Sequence, residues 1–306
     1  MANSGLLSGK VILVTGGGGG IGAAIAKLAA KEGAKVVVND LGCDTTGAGG
    51  AEDPAKAVVG EIKEAGGEAI ASFRSVATWD SAKGIIDDAI SAFGRIDGVV
   101  NNAGVLKDAL FHKMSLQDWQ LAQDVNLAGP FYVARAAAPY FRDQQSGVFV
   151  HMTSSSGLIG NVGQVNYGAA KMGVVGLSKC IALDMSRFNV RSNCIAPFAF
   201  TRLIGQIKTD TEQNRKRVEA LQTMKPAQIA PFVVSLLTDE AKDVTGQIFG
   251  VRRNEVILFS QPRPLRTVQM SEGWTPASCL SVALPAFKSS MYPLDISSQV
   301  FTWDPI

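Results

Sequence analysis

Short apolar runs rich in β-branched residues recur along the chain, separated by stretches whose apolar positions follow a helical spacing. Lys10–Thr15 (KVILVT) reads as a buried strand. A run of glycines follows, then IGAAIAKLAAKEG, which has the spacing of a helix ended by Gly33. Ala34–Asp40 (AKVVVND) reads as a second strand, and the breaker-rich stretch 41–53 around Thr45 and Thr46 as a loop. The alternation continues with a helix near 54–65, a strand near Ala69–Phe73, a helix near 79–93 and a strand over Asp97–Val100. A long helical region covers about 115–143, with a break expected near Gly129–Pro130. Gly147–Thr153 reads as a strand, Tyr167–Phe188 as a helix, and Val190–Ala196 as a strand stopped by Pro197. Helical pieces between about 200 and 238 lead to a last strand near Gln247–Val251.

Strands separated by helices imply a parallel sheet covered on both faces. The expected fold is therefore α/β: a Rossmann-like doubly wound sheet of about seven strands in three α/β/α layers, built by residues 1–251. Residues 252–306 are proline-rich and lack a helical period, so an irregular C-terminal extension is expected there. Trp274, Phe287, Tyr292, Phe301 and Trp303 make it too apolar for a free tail. It is expected to be ordered, packed on the same domain or on a subunit interface.

The turn Thr15-Gly16-Gly17-Gly18-Gly19-Gly20-Ile21-Gly22 sits where a strand hands over to a helix. Glycine allows positive φ and close approach of a pyrophosphate, and the helix N-terminus offers free N–H groups. Such a turn alone says little, but here strand, helix and next strand are all in place. Asp40 ends the second strand, where an acid can hydrogen-bond ribose hydroxyls and repel the 2′-phosphate of NADP. No Lys or Arg lies in the glycine loop or directly after Asp40. The plainer alternative is a turn-forming Asp beside Gly42.

Tyr167 and Lys171 are four apart and share one face of a helix. A lysine ammonium about 5 Å from a phenol contributes about 3 kcal/mol at an effective dielectric of about 20. That corresponds to roughly two pKa units, enough to bring a tyrosine toward neutral pH. Ser154, just past a strand end, could hydrogen-bond the same substrate oxygen. Ser155 and Ser156 are neighbouring alternatives, and no GxSxG elbow supports a serine hydrolase.

Composition narrows the picture further. Of 306 residues 46% are hydrophobic and only 18% charged, which hints at surface buried against other copies of the chain. A net charge of +2 argues for neither nucleic acid nor an anionic membrane as partner. The N-terminus lacks a signal-peptide pattern, and 144–170, though uncharged, is too rich in Ser, Gly, Asn and Gln to span a bilayer. Cys43, Cys180, Cys194 and Cys279 form no CxxC pair and are expected to be reduced thiols, consistent with a cytoplasmic protein. His112 and His151 are too few and too far apart for a metal motif; no metal is expected.

Taken together, TGGGGGIG (15–22), Asp40, NNAG (101–104), Asn126 in DVNLAG, Ser154 and the Tyr167–Lys171 pair resemble the short-chain dehydrogenase/reductase family. That resemblance implies hydride transfer between a nicotinamide cofactor, here NAD, and a carbonyl or alcohol carbon. It implies Tyr167 as acid/base, Lys171 on the nicotinamide ribose, Ser154 on the substrate oxygen and Asn126 holding a relay water. It implies a cofactor site made by Gly16, Gly20, Ile21, Gly22, Asp40, Asn102, Ala103, Gly104, Tyr167, Lys171 and Pro197. It also implies a homodimer or homotetramer, and Ala169, Ala170, Gly173 and Gly176 leave one helix slim enough for close packing.

VVVNDLG (36–42), GRIDGVVNNAGVLKD (94–108), GNVGQVNYGAAKMG (160–173), IAPFAFTR (195–202) and MKPAQIAPFVVSLL (224–237) are similar to one branch of that family. The branch is the (3R)-hydroxyacyl-CoA dehydrogenase unit of multifunctional enzyme type 2, with its stand-alone bacterial relatives. One departure is Asn126, where that branch often carries His. The likeness implies a (3R)-3-hydroxyacyl-CoA substrate, with a 17β-type hydroxysteroid as alternative and a non-catalytic NAD sensor or scaffold as a third reading. The region 198–225 starts apolar (Phe198, Phe200, Leu203, Ile204) and turns basic (Lys208, Arg215, Lys216, Arg217). It suits an acyl chain plus coenzyme A phosphates, or equally an ordinary amphipathic helix. Leu106, Leu158, Ile159 and Val162 are further candidate wall, or core.

Overall fold

The computed structural model describes residues 5–44, 49–50, 52–199 and 222–303. Its first half runs β1 (Val11–Thr15), α1 (Gly20–Lys31), β2 (Lys35–Asn39), α2 (Asp53–Glu64), β3 (Glu68–Ser72), α3 (Trp79–Phe93) and β4 (Gly98–Asn101). The second runs α4 (Leu116–Gln123), α5 (Gly129–Gln144), β5 (Gly147–Met152), α6 (Ser155–Leu158), α7 (Val165–Asp184), β6 (Val190–Phe198), α8 (Ala230–Leu237), β7 (Ile248–Arg252) and β8 (Glu255–Leu258). The strands form one sheet in the order β3-β2-β1-β4-β5-β6-β7-β8. The order reverses between β1 and β4, which opens a crevice beyond their C-terminal ends.

Side-chain alternation sets the two faces. Ile12, Val14, Val36, Val38 and Val150 pack against Ile25, Val58, Ile62 and Val233 of α1, α2 and α8. Leu13, Val37, Val99 and Phe149 turn to Ile85, Val133 and Phe141 of α3 and α5. At Gly147 a Cβ would come within 2.2 Å of the Phe141 ring, so a glycine lets α5 close on the sheet.

Three features differ from the sequence expectations. The sheet has eight strands, because β8 folds back antiparallel on β7, with Arg252 opposite Glu255. This hairpin was hidden in the stretch expected to be irregular: four residues are too short to show a period. Pro197 does not stop β6, which runs on to Phe198; Pro197 pairs with Val251 near the strand end and removes only one ladder donor. The long helix is broken earlier than expected, by a π turn over Asp124–Ala128, after which Gly129 and Pro130 open α5. Proline is tolerated there as in any first helical turn.

Part of the C-terminal segment folds back onto the chain itself. The Ser297 N–H donates to the Gly160 carbonyl (3.1 Å). Phe301 meets Phe198 edge-on at 4.7 Å between centroids. Buried Arg252 pairs with Glu255 (2.7 Å) and donates to the Trp303 carbonyl (2.8 Å), while the Trp303 indole N–H donates to Glu255 (2.6 Å). Limited proteolysis of the native protein should therefore leave the segment through Trp303 attached; rapid release from an otherwise intact core would refute this packing. The apolar-to-basic region carrying Phe200, Leu203, Ile204, Lys208, Arg215, Lys216 and Arg217 lies outside the described residues.

Candidate active site

The glycine loop takes the shape its residues allow. Gly16 and Gly20 adopt φ of +62° and +52°, in the left-handed region open to glycine. A Cβ at Gly22 would lie 2.1 Å from the Gly16 carbonyl oxygen, so the first turn of α1 presses directly on the loop. Thr15 and Asn102 tie this loop to the end of β4. The Asn102 amide donates to the Thr15 and Gly16 carbonyls (3.0 Å each), and Thr15 Oγ1 accepts from the N–H groups of Asn102 (3.0 Å) and Ala103 (3.1 Å).

Between them lies a cavity of about 370 Å³, lined by Gly16, Gly20, Ile21, Asp40, Asn102 and Gly104, with Ala103 beside them. Gly22 supports this lining from behind. Asp40 accepts from the Gly18 N–H (2.8 Å) with one oxygen and from the Gly42 N–H (2.7 Å) with the other. The carboxylate thus braces the loop and also lines the cavity. A larger open groove of about 510 Å³ between β3 and α3 touches neither Tyr167 nor the glycine loop.

Distant parts of the chain complete the cavity in ways the local sequence did not signal. Leu41, Arg74, Ser75 and Val76 line it. Arg74 matters most, since it brings a cation near Asp40 from the end of β3. Its guanidinium is held by Asp88, with Nε at 3.0 Å and Nη2 at 3.3 Å from the two carboxylate oxygens.

The second half of the site hangs on β5 and α7. Lys171 is buried and its Nζ donates to the Met152 carbonyl (2.8 Å), while the Thr153 hydroxyl donates to the Lys171 carbonyl (2.6 Å). These bonds fix α7 to the end of β5. The Lys171 ammonium lies 5.6 Å from the Tyr167 ring centre. A Cβ at Gly104 would sit 3.8 Å from Lys171 Nζ, so the lysine adjoins the wall of the cavity. Ser154 caps α6, accepting from the Ser156 N–H (3.1 Å), and its hydroxyl lies near enough to the Tyr167 phenol to favour its ionised form. The structure thus brings Ser154, Tyr167 and Lys171 together beside the cavity.

Electrostatics depart from the sequence expectation. Burial pushes the Tyr167 phenol up to about 12 despite the opposing effect of Ser154, and Asp108 adds to the rise. Burial pulls Lys171 down to about 8. Charge attraction alone predicted a lowered phenol; desolvation of both groups outweighs it.

Asn126 is fully buried on the π turn. Its carbonyl oxygen accepts from the Val105 N–H (3.1 Å), and its amide donates to the carbonyls of Val105 and Ala122 (3.0 Å each). The side chain is therefore occupied in holding the NNAG loop. Pro197, half-buried near the end of β6, does not line the cavity. Among the described residues no helix is long and apolar enough to cross a membrane, and no group of His, Cys, Asp or Glu could hold a metal.

Comparison with known proteins agrees with this arrangement. Residues 10–217 match the family model of the short chain dehydrogenases. The chain is 47% identical over 234 residues to a short-chain type dehydrogenase/reductase of Mycobacterium tuberculosis, covering 76% of this chain and 79% of the relative. It is 46% identical over 235 residues to peroxisomal multifunctional enzyme type 2 of Drosophila melanogaster, covering 77% of this chain but 38% of that longer protein. A crystal structure of a short chain dehydrogenase from Mycobacterium avium superposes with a TM-score of 0.82 at 36% identity, covering 95% of this chain and 99% of that one. The chain belongs to the short-chain dehydrogenase/reductase family, oxidoreductases that use nicotinamide cofactors and commonly form oligomers.

Proposed function

We propose that the chain is an NAD-dependent dehydrogenase that interconverts a (3R)-3-hydroxyacyl-CoA and its 3-ketoacyl-CoA. The observation that carries the chemistry is the Ser154–Tyr167–Lys171 cluster, whose lysine adjoins the cavity wall at Gly104. The likeness to multifunctional enzyme type 2 supports the substrate class. Bound NAD would supply the hydride acceptor. Gly16, Gly20, Ile21 and Gly22 would cradle its pyrophosphate at the N-terminus of α1, where no acidic residue opposes it. Asn102, Ala103 and Gly104 would close the opposite wall, and Tyr167, Lys171 and Pro197 the nicotinamide end.

In this reading Tyr167 Oη takes the substrate hydroxyl proton during oxidation and returns it during reduction. Ser154 Oγ holds the same oxygen, and Lys171 keeps a positive charge near the phenol. Asn126 holds the loop and, in keeping with the family likeness, would hold a relay water. The high phenol pKa keeps Tyr167 protonated at neutral pH, the form that gives a proton to a ketone. The chain acts in the cytoplasm as a homodimer or homotetramer, packed through α7, with residues 252–306 on the same domain.

Incubation with NAD and (3R)- or (3S)-3-hydroxyacyl-CoA of graded chain length, with a 17β-hydroxysteroid alongside, tests this by NADH absorbance. Turnover of the (3R) thioester supports the proposal. Turnover of the steroid alone reassigns the substrate, and NAD binding without any turnover makes the protein a sensor. Asp40 carries the cofactor choice, because Arg74 is held by Asp88. Asp40→Ala should weaken NAD on the order of 10- to 100-fold, the scale of a hydrogen bond to a charged group. It should also narrow the gap to NADP, both read from Kd. An unchanged ratio would return Asp40 to loop bracing.

A further inference from the structure

Arg74 stands on the wall between two hollows of the molecule. Its side chain lines both the cavity that holds Asp40 and the open groove between β3 and α3. Among the described residues lining the cavity, Asp40 and Asp44 are acidic and Arg74 is the one cation. The ladder between β2 and β3 brings it there. Asn39 pairs with Ser72, and the Asn39 amide donates to the carbonyls of Ser72 (3.2 Å) and Arg74 (2.9 Å). The backbone at Arg74 is thus anchored to the strand end that carries Asp40.

Helix α3 holds the charge on the other side. Arg74 Nε and Nη2 donate to the two oxygens of Asp88 (3.0 and 3.3 Å), and Asp88 lines the groove but not the cavity. The Ser72 hydroxyl donates to the same carboxylate (2.8 Å) and steadies it. The neighbouring Asp87 is paired with Lys83 (2.7 Å). Gly84, four residues before Asp88, shares its face of the helix. A Cβ at Gly84 would come within 2.9 Å of Arg74 Cδ, Nε and Cζ, so the guanidinium lies against bare helix backbone. Glycine is a poor helix residue, and here it makes room for that side chain.

We propose that Asp88 and Gly84 determine cofactor specificity together with Asp40, by keeping the Arg74 guanidinium on the groove side and away from a 2′-phosphate. This inference rests on the reading of the cavity as the site of a nicotinamide dinucleotide. Released from Asp88, Arg74 would share the cavity with Asp40. It would offset the repulsion between that acid and a 2′-phosphate, and offer the phosphate the fork it now gives to Asp88. Were it to pair with Asp40 instead, it would occupy the acceptor meant for the ribose hydroxyls. In both cases NADPH gains on NADH.

Fluorescence titrations of the full chain with NADH and with NADPH give both Kd values. The wild type should favour NADH. Asp88→Ala removes the clamp, and Gly84→Ala crowds Arg74 off its seat while Asp88 keeps its charge. Each should shift the Kd ratio toward NADPH about five-fold, the scale of an ion pair partly open to water. Gly84→Ala puts a better helix former into α3, so its result does not depend on a weakened fold. In an Arg74→Ala background neither change should move the ratio, whereas a general effect of charge or packing would persist there. Unchanged ratios in both single variants, or a shift that survives without Arg74, would overturn the proposal. A wild type that binds NADPH as tightly as NADH would defeat the NAD assignment instead. The Arg74-dependent shift would then still decide for or against Asp88 and Gly84.

Discussion

Replacing Tyr167 with phenylalanine should lower kcat by about 10²- to 10⁴-fold, the scale of one positioned proton-transfer group, while NAD binding survives. The substitution deletes a single oxygen. The ring stays 5.6 Å from Lys171 Nζ, and the bonds that seat the lysine, to Met152 and from Thr153, involve no part of the phenol. Neither does the lining of the cavity at Gly16, Asp40 and Asn102. A titration of NADH fluorescence should give nearly the wild-type Kd, and turnover in both directions should collapse. Retention of more than a tenth of the wild-type kcat would remove Tyr167 from the acid/base role.

Acid should destabilise the fold through His151. The imidazole is fully buried on β5, stacked on Phe149, with Nδ1 at 3.1 Å from the Asn101 amide and Nε2 without a partner. Burial, with some help from the Lys171 charge, holds its pKa down to about 3 against an ordinary 6.5. The unfolded chain therefore binds a proton below pH 6.5 that the native chain refuses. The stabilisation is complete above 6.5 and drains as pH falls toward 3, at about 1.4 kcal/mol per unit. By pH 5 the loss is about 2 kcal/mol. Lys171, also depressed, makes a constant contribution here because both its native and unfolded values lie above pH 7. Urea midpoints at pH 7 and pH 5 should fall further for the wild type than for His151→Asn; equal falls would show that the imidazole escapes its burial.

The parts of the site that were legible in the sequence are those built by neighbours along the chain. A glycine turn between a strand and a helix, an acid at the next strand end and a Tyr–Lys pair four apart carry their geometry in their spacing. Arg74, Ser75 and Val76 could not be placed that way, because the parallel crossover, not local sequence, brings the end of β3 to the glycine loop. Asp108, whose charge reaches Tyr167 from the loop after β4, was missed for the same reason. The π turn escaped notice because it preserves helical composition, and β8 because four residues show no period. The direction of the Tyr167 shift was misjudged for another reason: charges can be paired on paper, but the water each loses depends on packing around α7.

The π turn at Asp124–Ala128 has a consequence for how the chain tolerates change. One extra residue in a helix of 3.6 per turn puts a phase lag of about 100° between α4 and α5. Each helix faces its own partner because of that lag: α4 lies against α7, and α5 against α3. Deleting a single residue anywhere in 124–128 would bring the two segments back into phase. It would rotate one of them off its partner and carry Asn126 away from Val105. Point substitutions on this helix can be absorbed locally, whereas a one-residue deletion acts at both ends of it at once.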